Sequence, residues 1–224
     1  MTEYDRKKLQ SEAAYALLKR QILDNQLTAN TQMLENEIAS QLKMSRTPVR
    51  EALQQLAREG LIDVIPRHGM RVKPVSPDDM AEIYSILTGL ECVAVETLAL
   101  NGLDSSGRQV LEHSVDQMDT SLEENDLDRW AQADQQFHRQ LVSLTGNRRL
   151  ISIVNMLWDQ CHRARLLTLR LRPPPLKSNQ EHREVFDAIV RGDAKTAASI
   201  HREHRHQSGE MLVALLRELG LQQL

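Results

Sequence analysis

Aromatic residues are scarce in this chain, making up 3% of its 224 residues. A core without them is built from Leu, Ile, Val, Ala and Met, which suits helix packed on helix better than a sheet sandwich. Cysteine is scarcer still: Cys92 and Cys161 are the only two. Neither sits in a metal or redox spacing, which argues for two reduced, structural thiols rather than a disulfide framework. No apolar stretch approaches the length of a membrane span, so no membrane is expected among the partners. The start, Met1-Thr2-Glu3-Tyr4-Asp5-Arg6-Lys7-Lys8, lacks the apolar centre of a signal peptide, and a cytoplasmic protein is the expectation. An excess of basic charge is missing too, since the net charge is −3.

The distribution of charge says more than its sum. Residues 1–74 carry 12 Lys/Arg against 9 Asp/Glu, and residues 75–224 carry 16 against 22. A basic head on an acidic body fits a DNA-reading module beside a sensing module, although ordinary proteins show such splits too. The length allows one large domain or two modest ones, each able to bury a core. The best boundary is Lys73-Pro74-Val75-Ser76-Pro77-Asp78-Asp79, where two prolines interrupt regular structure and Ser76 can cap the next helix. The expected domains are therefore 1–74 and 75–224.

Before the boundary the elements are short. Apolar positions recur at helical period from Ser11 to Leu23, and further helices fit Leu34–Leu42 and Arg46–Glu59. Leu61-Ile62-Asp63-Val64-Ile65 reads as a strand, Pro66-Arg67-His68-Gly69 as a turn, and Met70-Arg71-Val72-Lys73 as the returning strand. Three helices and a small hairpin make a winged helix-turn-helix. After the boundary the pattern is helical throughout, with helices expected near 78–100, 105–123, 126–144, 147–171, 177–191 and 193–219. Six helices with short connections predict an antiparallel bundle. The fold class is thus mainly α: a winged helix-turn-helix with a β-hairpin wing, then an all-α bundle.

The third helix begins in Ser45-Arg46-Thr47-Pro48-Val49-Arg50. Ser45 or Thr47 can cap it, and Pro48 is tolerated in the first turn. Val49, Ala52, Leu53, Leu56 and Ala57 form one apolar stripe, leaving Arg46, Thr47 and Arg50 on the other side. That places an arginine-bearing helix end where it can enter a major groove. Spacing alone leaves a solvated helix start in an unrelated domain equally open.

The run Glu37-Ile38-Ala39-Ser40-Gln41-Leu42-Lys43-Met44-Ser45-Arg46-Thr47-Pro48-Val49-Arg50-Glu51-Ala52-Leu53 closely resembles the GntR family of bacterial transcriptional regulators. So do Leu56-Ala57-Arg58-Glu59-Gly60-Leu61 and Pro66-Arg67-His68-Gly69-Met70-Arg71-Val72. The resemblance implies DNA contacts from Ser45, Arg46, Thr47 and Arg50, with the wing at His68 and Gly69 reaching an adjacent groove. A further family contact is an Arg early in the second helix; Asn36 stands there in this chain. The usual Pro-Gly before that helix is replaced by Ala29-Asn30 and neighbours.

The second part resembles the FCD-type effector domain of the FadR-like subfamily. Asp134-Gln135-Gln136-Phe137-His138, Gly146-Asn147 with Leu150, Glu181-His182, Gly192-Asp193-Ala194 and His204 carry this likeness. It implies a metal site of Asp134, His138, His182 and His204. The residues themselves are compatible with one: Asp134 and His138, four apart, share a helix face. One oxygen and three nitrogen donors suit zinc, nickel or another transition metal rather than calcium. Read without the family, such pairs also arise as surface pairs, and His201-Arg202-Glu203-His204-Arg205-His206 also reads as a solvated face. His201 and His206 fall off the expected ligand face, and His113 and His162 match no ligand position. Family members carry an Arg in the first effector helix where Leu87 stands here. The resemblance implies that this Arg binds an effector carboxylate; either Arg163 or Arg165 substitutes for it here, or, more simply, the effector lacks that contact or is more apolar.

The leading expectation is a ligand-responsive regulator, a repressor, holding a pseudo-palindromic double-stranded operator as a homodimer. Its effector is a small molecule, with carboxylate metabolites among the candidates. A metal sensor is one alternative, and a metal-dependent enzyme on the bundle another; no general base stands out for the enzyme, and an enzyme leaves the winged head unexplained.

Overall fold

The computed structural model describes residues 3–220, with side chains from Asp5 onward. Met1, Thr2 and residues 221–224, which belong to the ends of the expected domains and the segment read for a leader, lie outside the described residues. The described chain forms two compact units. One holds residues up to Ser76 together with Trp158–Ala164; the other holds Pro77–Leu157 and Arg165–Gly220.

The first unit runs α1 (Glu3–Leu23), β1 (Gln32–Met33), α2 (Glu35–Leu42), α3 (Arg46–Arg58), β2 (Ile62–Ile65) and β3 (Gly69–Val72). Its core joins Leu18 and Ile22 of α1, Ile38 of α2, Val49, Leu53 and Leu56 of α3, and Ile62, Met70 and Val72 of the sheet. Glu37 starts α2 by accepting from the Leu34 N–H at 2.9 Å. Lys43, in the left-handed conformation at φ 52°, ends it. Ser45 holds the N-cap position of α3, but its side chain makes no capping bond. Of the two expected caps, Ser45 or Thr47, Ser45 takes the position but leaves the first N–H groups of α3 without a side-chain cap from it.

The wing is larger than the expected hairpin. Strands β2 and β3 pair antiparallel, with Ile65 opposite Gly69, and β1 adds a third antiparallel strand with Met33 opposite Met70. Gly69 is required at its position. It sits at φ +78°, and a Cβ there would collide with the Met33 carbonyl.

The second unit consists of α4 (Pro77–Asn101), α5 (Ser105–Glu123), α6 (Leu127–Ser143), α7 (Arg148–Thr168, extended by a 3-10 turn over Leu169–Leu171) without its Trp158–Ala164 stretch, α8 (Leu176–Val190) and α9 (Ala194–Glu218). Side-chain caps start four of them. Asp104 accepts from Gly107 N, Asp126 from Arg129 N, Asn147 from Arg149 N and Leu150 N, and Asp193 from Thr196 N. Helices α4 and α9 pack together, as do α5 with α6 and α8 with α9. Phe137 and Phe186, the chain's only phenylalanines, both lie in the core with Val95, Leu111, Met118 and Ile189.

Helix α4 corrects one expectation. By length and composition it is apolar enough to cross a bilayer, with mean hydropathy 1.5 over its best 18 residues, half of them buried. Ser85, Thr88, Gly89 and Glu91 interrupt its apolar residues, so no continuous run shows in the sequence. Its buried side carries Glu91, fully enclosed, which belongs to a protein core rather than lipid.

Candidate functional site

On α3, Ser45, Arg46, Thr47 and Arg50 are exposed, while Val49, Leu53 and Leu56 on the opposite side are buried. Asn36 is exposed at the start of α2, and His68 is exposed at the wing tip. Gly69 is buried against the backbone of Met33 and Leu34, so its part in the wing is to turn the chain. The two arginines do not stand alone. Arg50 Nη2 donates to Glu35 Oε2 at 3.0 Å, its Nε reaches both carboxylate oxygens at 3.3 Å, and Arg46 Nη2 reaches Oε2 at 3.4 Å. These bonds, Arg50's foremost, hold the Glu35 carboxyl below its ordinary range.

In the second unit the i, i+4 spacing puts Asp134 and His138 on one face of α6. Helix α8 supplies His182 and α9 supplies His204. All four are buried, and one ligand atom from each lies within 4.8 Å of the others. His182 Nε2 is 3.2 Å from His138 Nε2 and 3.5 Å from Asp134 Oδ1. Arg165 of α7 forms an ion pair with the other oxygen, Asp134 Oδ2.

Two carboxylates stand behind the histidines. Glu91 Oε2 is 3.0 Å from His138 Nδ1, and Glu181 Oε2 is 2.8 Å from His204 Nδ1. An ionised carboxylate only accepts, so each Nδ1 carries the proton and each Nε2 is turned toward the cluster. Burial pushes His182 well below the ordinary imidazole range, with the charge of His204 adding to it, and burial also lowers His204. Burial alone would lower His138 too, but the charges of Glu91 and Asp134 outweigh it and raise His138. Burial opposes ionisation of Asp134, yet the Arg165 charge and the His138 hydrogen bond hold it well below the usual carboxylate range. A proton on His138 Nε2 is thus donated to neutral His182, whose buried Nδ1 has no hydrogen-bond partner among the described residues. Three convergent imidazole nitrogens with one carboxylate oxygen form a donor set that a transition-metal ion fits better than a lone proton does.

Next to the cluster lies a cavity of about 240 Å³. Arg165, Arg172, Lys177 and Arg205 bring positive charge to its lining; Leu127, Trp130, Pro173–Pro175 and Met211 supply apolar surface. Of the two arginines expected to contact an effector, Arg165 lines this cavity. Arg163 does not: its Nη2 donates to the Lys73 carbonyl at 2.5 Å within the first unit. Leu87 is fully buried.

Sequence reasoning missed three residues here. Glu91 was visible as a lone charge inside Leu90-Glu91-Cys92-Val93-Ala94-Val95, a pattern that a buried, paired carboxylate produces. Glu181 gave no separate signal beside His182. The sequence reading puts His201 off the ligand face, and the four-residue group does leave it out; the same reading leaves the run from His201 to His206 open to a solvated role, which the structure corrects for His201 and His204. His201 is fully buried with Nε2 3.0 Å from Glu91 Oε2, His204 is buried in the cluster, and among these three only His206 is exposed. Helical spacing explains this, since 201 and 204 share a face that 206 leaves. Glu91, His138 and His201 form a second convergent group around one oxygen.

Comparison with known proteins agrees with both halves. The profile of the "Bacterial regulatory proteins, gntR family" matches residues 10–72, and the FCD domain profile matches residues 82–207. An HTH-type transcriptional regulator in an unstable DNA locus of Streptomyces ambofaciens is 31% identical over 190 residues, covering 85% of this chain and 79% of the relative. The HTH-type transcriptional repressor RspR of Escherichia coli is 25% identical over 208 residues, covering 93% and 91%. Among solved structures, E. coli McbR/YncC superposes with a TM-score of 0.76 at 21% identity, covering 92% of this chain and 98% of that one. With a winged head, an FCD bundle and relatives of this kind, the chain belongs to the GntR family of bacterial DNA-binding transcriptional regulators.

Proposed function

We propose that this regulator is a ligand-responsive repressor acting as a homodimer on a pseudo-palindromic operator. Asp134, His138, His182 and His204 hold a divalent transition metal in it, zinc or nickel by donor type. The observation that carries this reading is the set of four buried ligand atoms within 4.8 Å of one another, two of the imidazoles turned inward by carboxylates. When bound, the ion supplies a Lewis-acidic position for a carboxylate oxygen. Arg165, Arg172, Lys177 and Arg205 then favour a small organic anion in the adjoining cavity, while Trp130, the prolines and Met211 accept its apolar part. Ser45, Arg46, Thr47 and Arg50 read the operator, helped by His68 of the wing and by Asn36. Repression is the sign suggested by relatives such as RspR, which carry the name repressor.

The test is to purify the chain without chelator, measure its metal content, and follow binding to DNA from its own promoter by fluorescence anisotropy. The reading expects about one ion per chain. It also expects release from DNA on adding a small carboxylate, but not on adding metal alone. Release by metal alone makes the protein a metal sensor instead, and a chain that binds no metal ends the proposal.

A further inference from the structure

We infer that Glu35 is a positioning residue for DNA recognition: it holds the arginines of the recognition helix in the orientation that reads bases, and it masks their charge from phosphates. This rests on the proposal above that Arg46 and Arg50 contact the operator.

The argument begins with the guanidinium group. It carries five N–H donors in a planar fork, and its two edges serve two partners. In Arg50 the edge made by Nε and Nη2 is occupied by Glu35, with contacts of 3.0 to 3.3 Å. The edge made by Nη1 and the remaining Nη2 hydrogen stays available. That edge has the spacing to donate to O6 and N7 of a guanine. An arginine pinned along one edge therefore presents the other in a fixed plane, without the rotamer entropy that a free side chain loses on binding.

The second consequence is electrostatic. Arg46 and Arg50 are exposed, and Glu35 lies within 3.4 Å of both. Free arginines attract any duplex through its phosphates, whatever the sequence. A carboxylate beside them subtracts from that attraction everywhere, and repels a phosphate that tries to take its place. Base contacts on the opposite guanidinium edge are spared. Glu35 thus weakens sequence-independent binding while keeping the base-reading edge in place. Its location supports this role: it is in the first turn of α2, 11 and 15 residues before the arginines, and belongs to no apolar cluster.

The experiment compares the full chain with Glu35→Gln, Glu35→Asp, Arg50→Lys and Arg50→Ala. Binding is measured by anisotropy over a range of salt. One duplex is selected by the wild-type chain from a randomised pool, and the other is an unrelated duplex of equal length. Glu35→Gln should tighten binding to the unrelated duplex, steepen its log–log salt dependence by about one unit, and lower the specificity ratio by about tenfold. Glu35→Asp, which keeps the charge, should restore most of the ratio. A folded Glu35→Gln protein with the ratio unchanged within about twofold, or with both affinities falling in parallel, overturns the inference. If Glu35→Gln does not fold, Arg50→Lys decides: charge without the fork should keep unrelated binding and lose the ratio, and an unchanged ratio overturns the inference. Arg50→Ala separates the two levels. Intact selective binding in that variant sinks the recognition-helix reading itself, whereas lost selectivity there with an unchanged Glu35→Gln ratio sinks only the role of Glu35.

Discussion

Glu91 Oε2 lies 3.0 Å from His138 Nδ1, deep between α4 and α6. The same oxygen is 3.0 Å from His201 Nε2 and 3.3 Å from Arg205 Nε, so one buried carboxylate orients a residue of the Asp134–His138–His182–His204 cluster and ties α9 to it. Glu91→Gln keeps the volume but removes the charge that holds the proton on Nδ1 of His138. Metal affinity should fall by about 10–100-fold, measured by competition with a chromophoric chelator. The variant should also be less stable by about 3–5 kcal/mol, because Arg205 loses a buried anion. Unchanged metal affinity in a folded variant would show that His138 needs no such partner.

The same buried histidines make stability depend on pH. Burial, only partly offset by Glu91, pushes His201 down to about 4, whereas a free imidazole titrates near 6.5. Between those values the unfolded chain binds a proton that the folded chain refuses. Stability is therefore complete above about pH 6.5 and is lost as pH falls toward 4. His182 and His204, also lowered by burial, act in the same direction, and His138, raised, acts against them. The metal-free protein should melt several degrees lower at pH 5 than at pH 7. His201→Asn should flatten that slope, and a slope unchanged by His201→Asn would mean that His201 does not contribute.

Legibility in the sequence came from period and spacing. The stripe Val49, Leu53, Leu56 repeats at helical intervals, so α3 could be read directly, whereas the i, i+4 pair Asp134 and His138 shows only a shared helix face and its grouping with His182 and His204 came from the family resemblance. The apolar period predicts α1 from Ser11, but the helix begins at Glu3. Its opening turns, with Asp5, Lys7 and Lys8, are exposed and carry no apolar period to read. Strand β1 has two residues, Gln32 and Met33, too few to show alternation. Glu35 was invisible as a partner because ion pairs formed 11 and 15 residues apart depend on how α2 and α3 pack, and no local pattern records it.

Gly69 offers a test of the wing. Its positive φ costs a side chain about 1–2 kcal/mol, and the Met33 carbonyl blocks a Cβ besides. Gly69→Ala should destabilise the protein by at least about 2 kcal/mol in urea titrations. It should also displace His68 and weaken DNA binding, while metal content stays the same. A variant with wild-type stability would mean that β1 can yield to admit the methyl group.

Arg165 joins the effector question to the Asp134–His138–His182–His204 cluster. It pairs with buried Asp134 and also lines the cavity. Arg165→Met keeps most of the volume but leaves Asp134 without its principal cation, so the carboxyl should rise toward its ordinary range. In the metal-free protein this should cost about 3 kcal/mol. A bound divalent ion supplies positive charge at the same carboxylate, so zinc or nickel should recover most of the loss in melting temperature. The organic anion has no such substitute. Metal-loaded Arg165→Met should stay on DNA at carboxylate concentrations that release the wild-type chain. Release at wild-type concentrations would assign the anion to Arg172, Lys177 and Arg205 instead, and would leave Arg165 the single task of keeping Asp134 ionised.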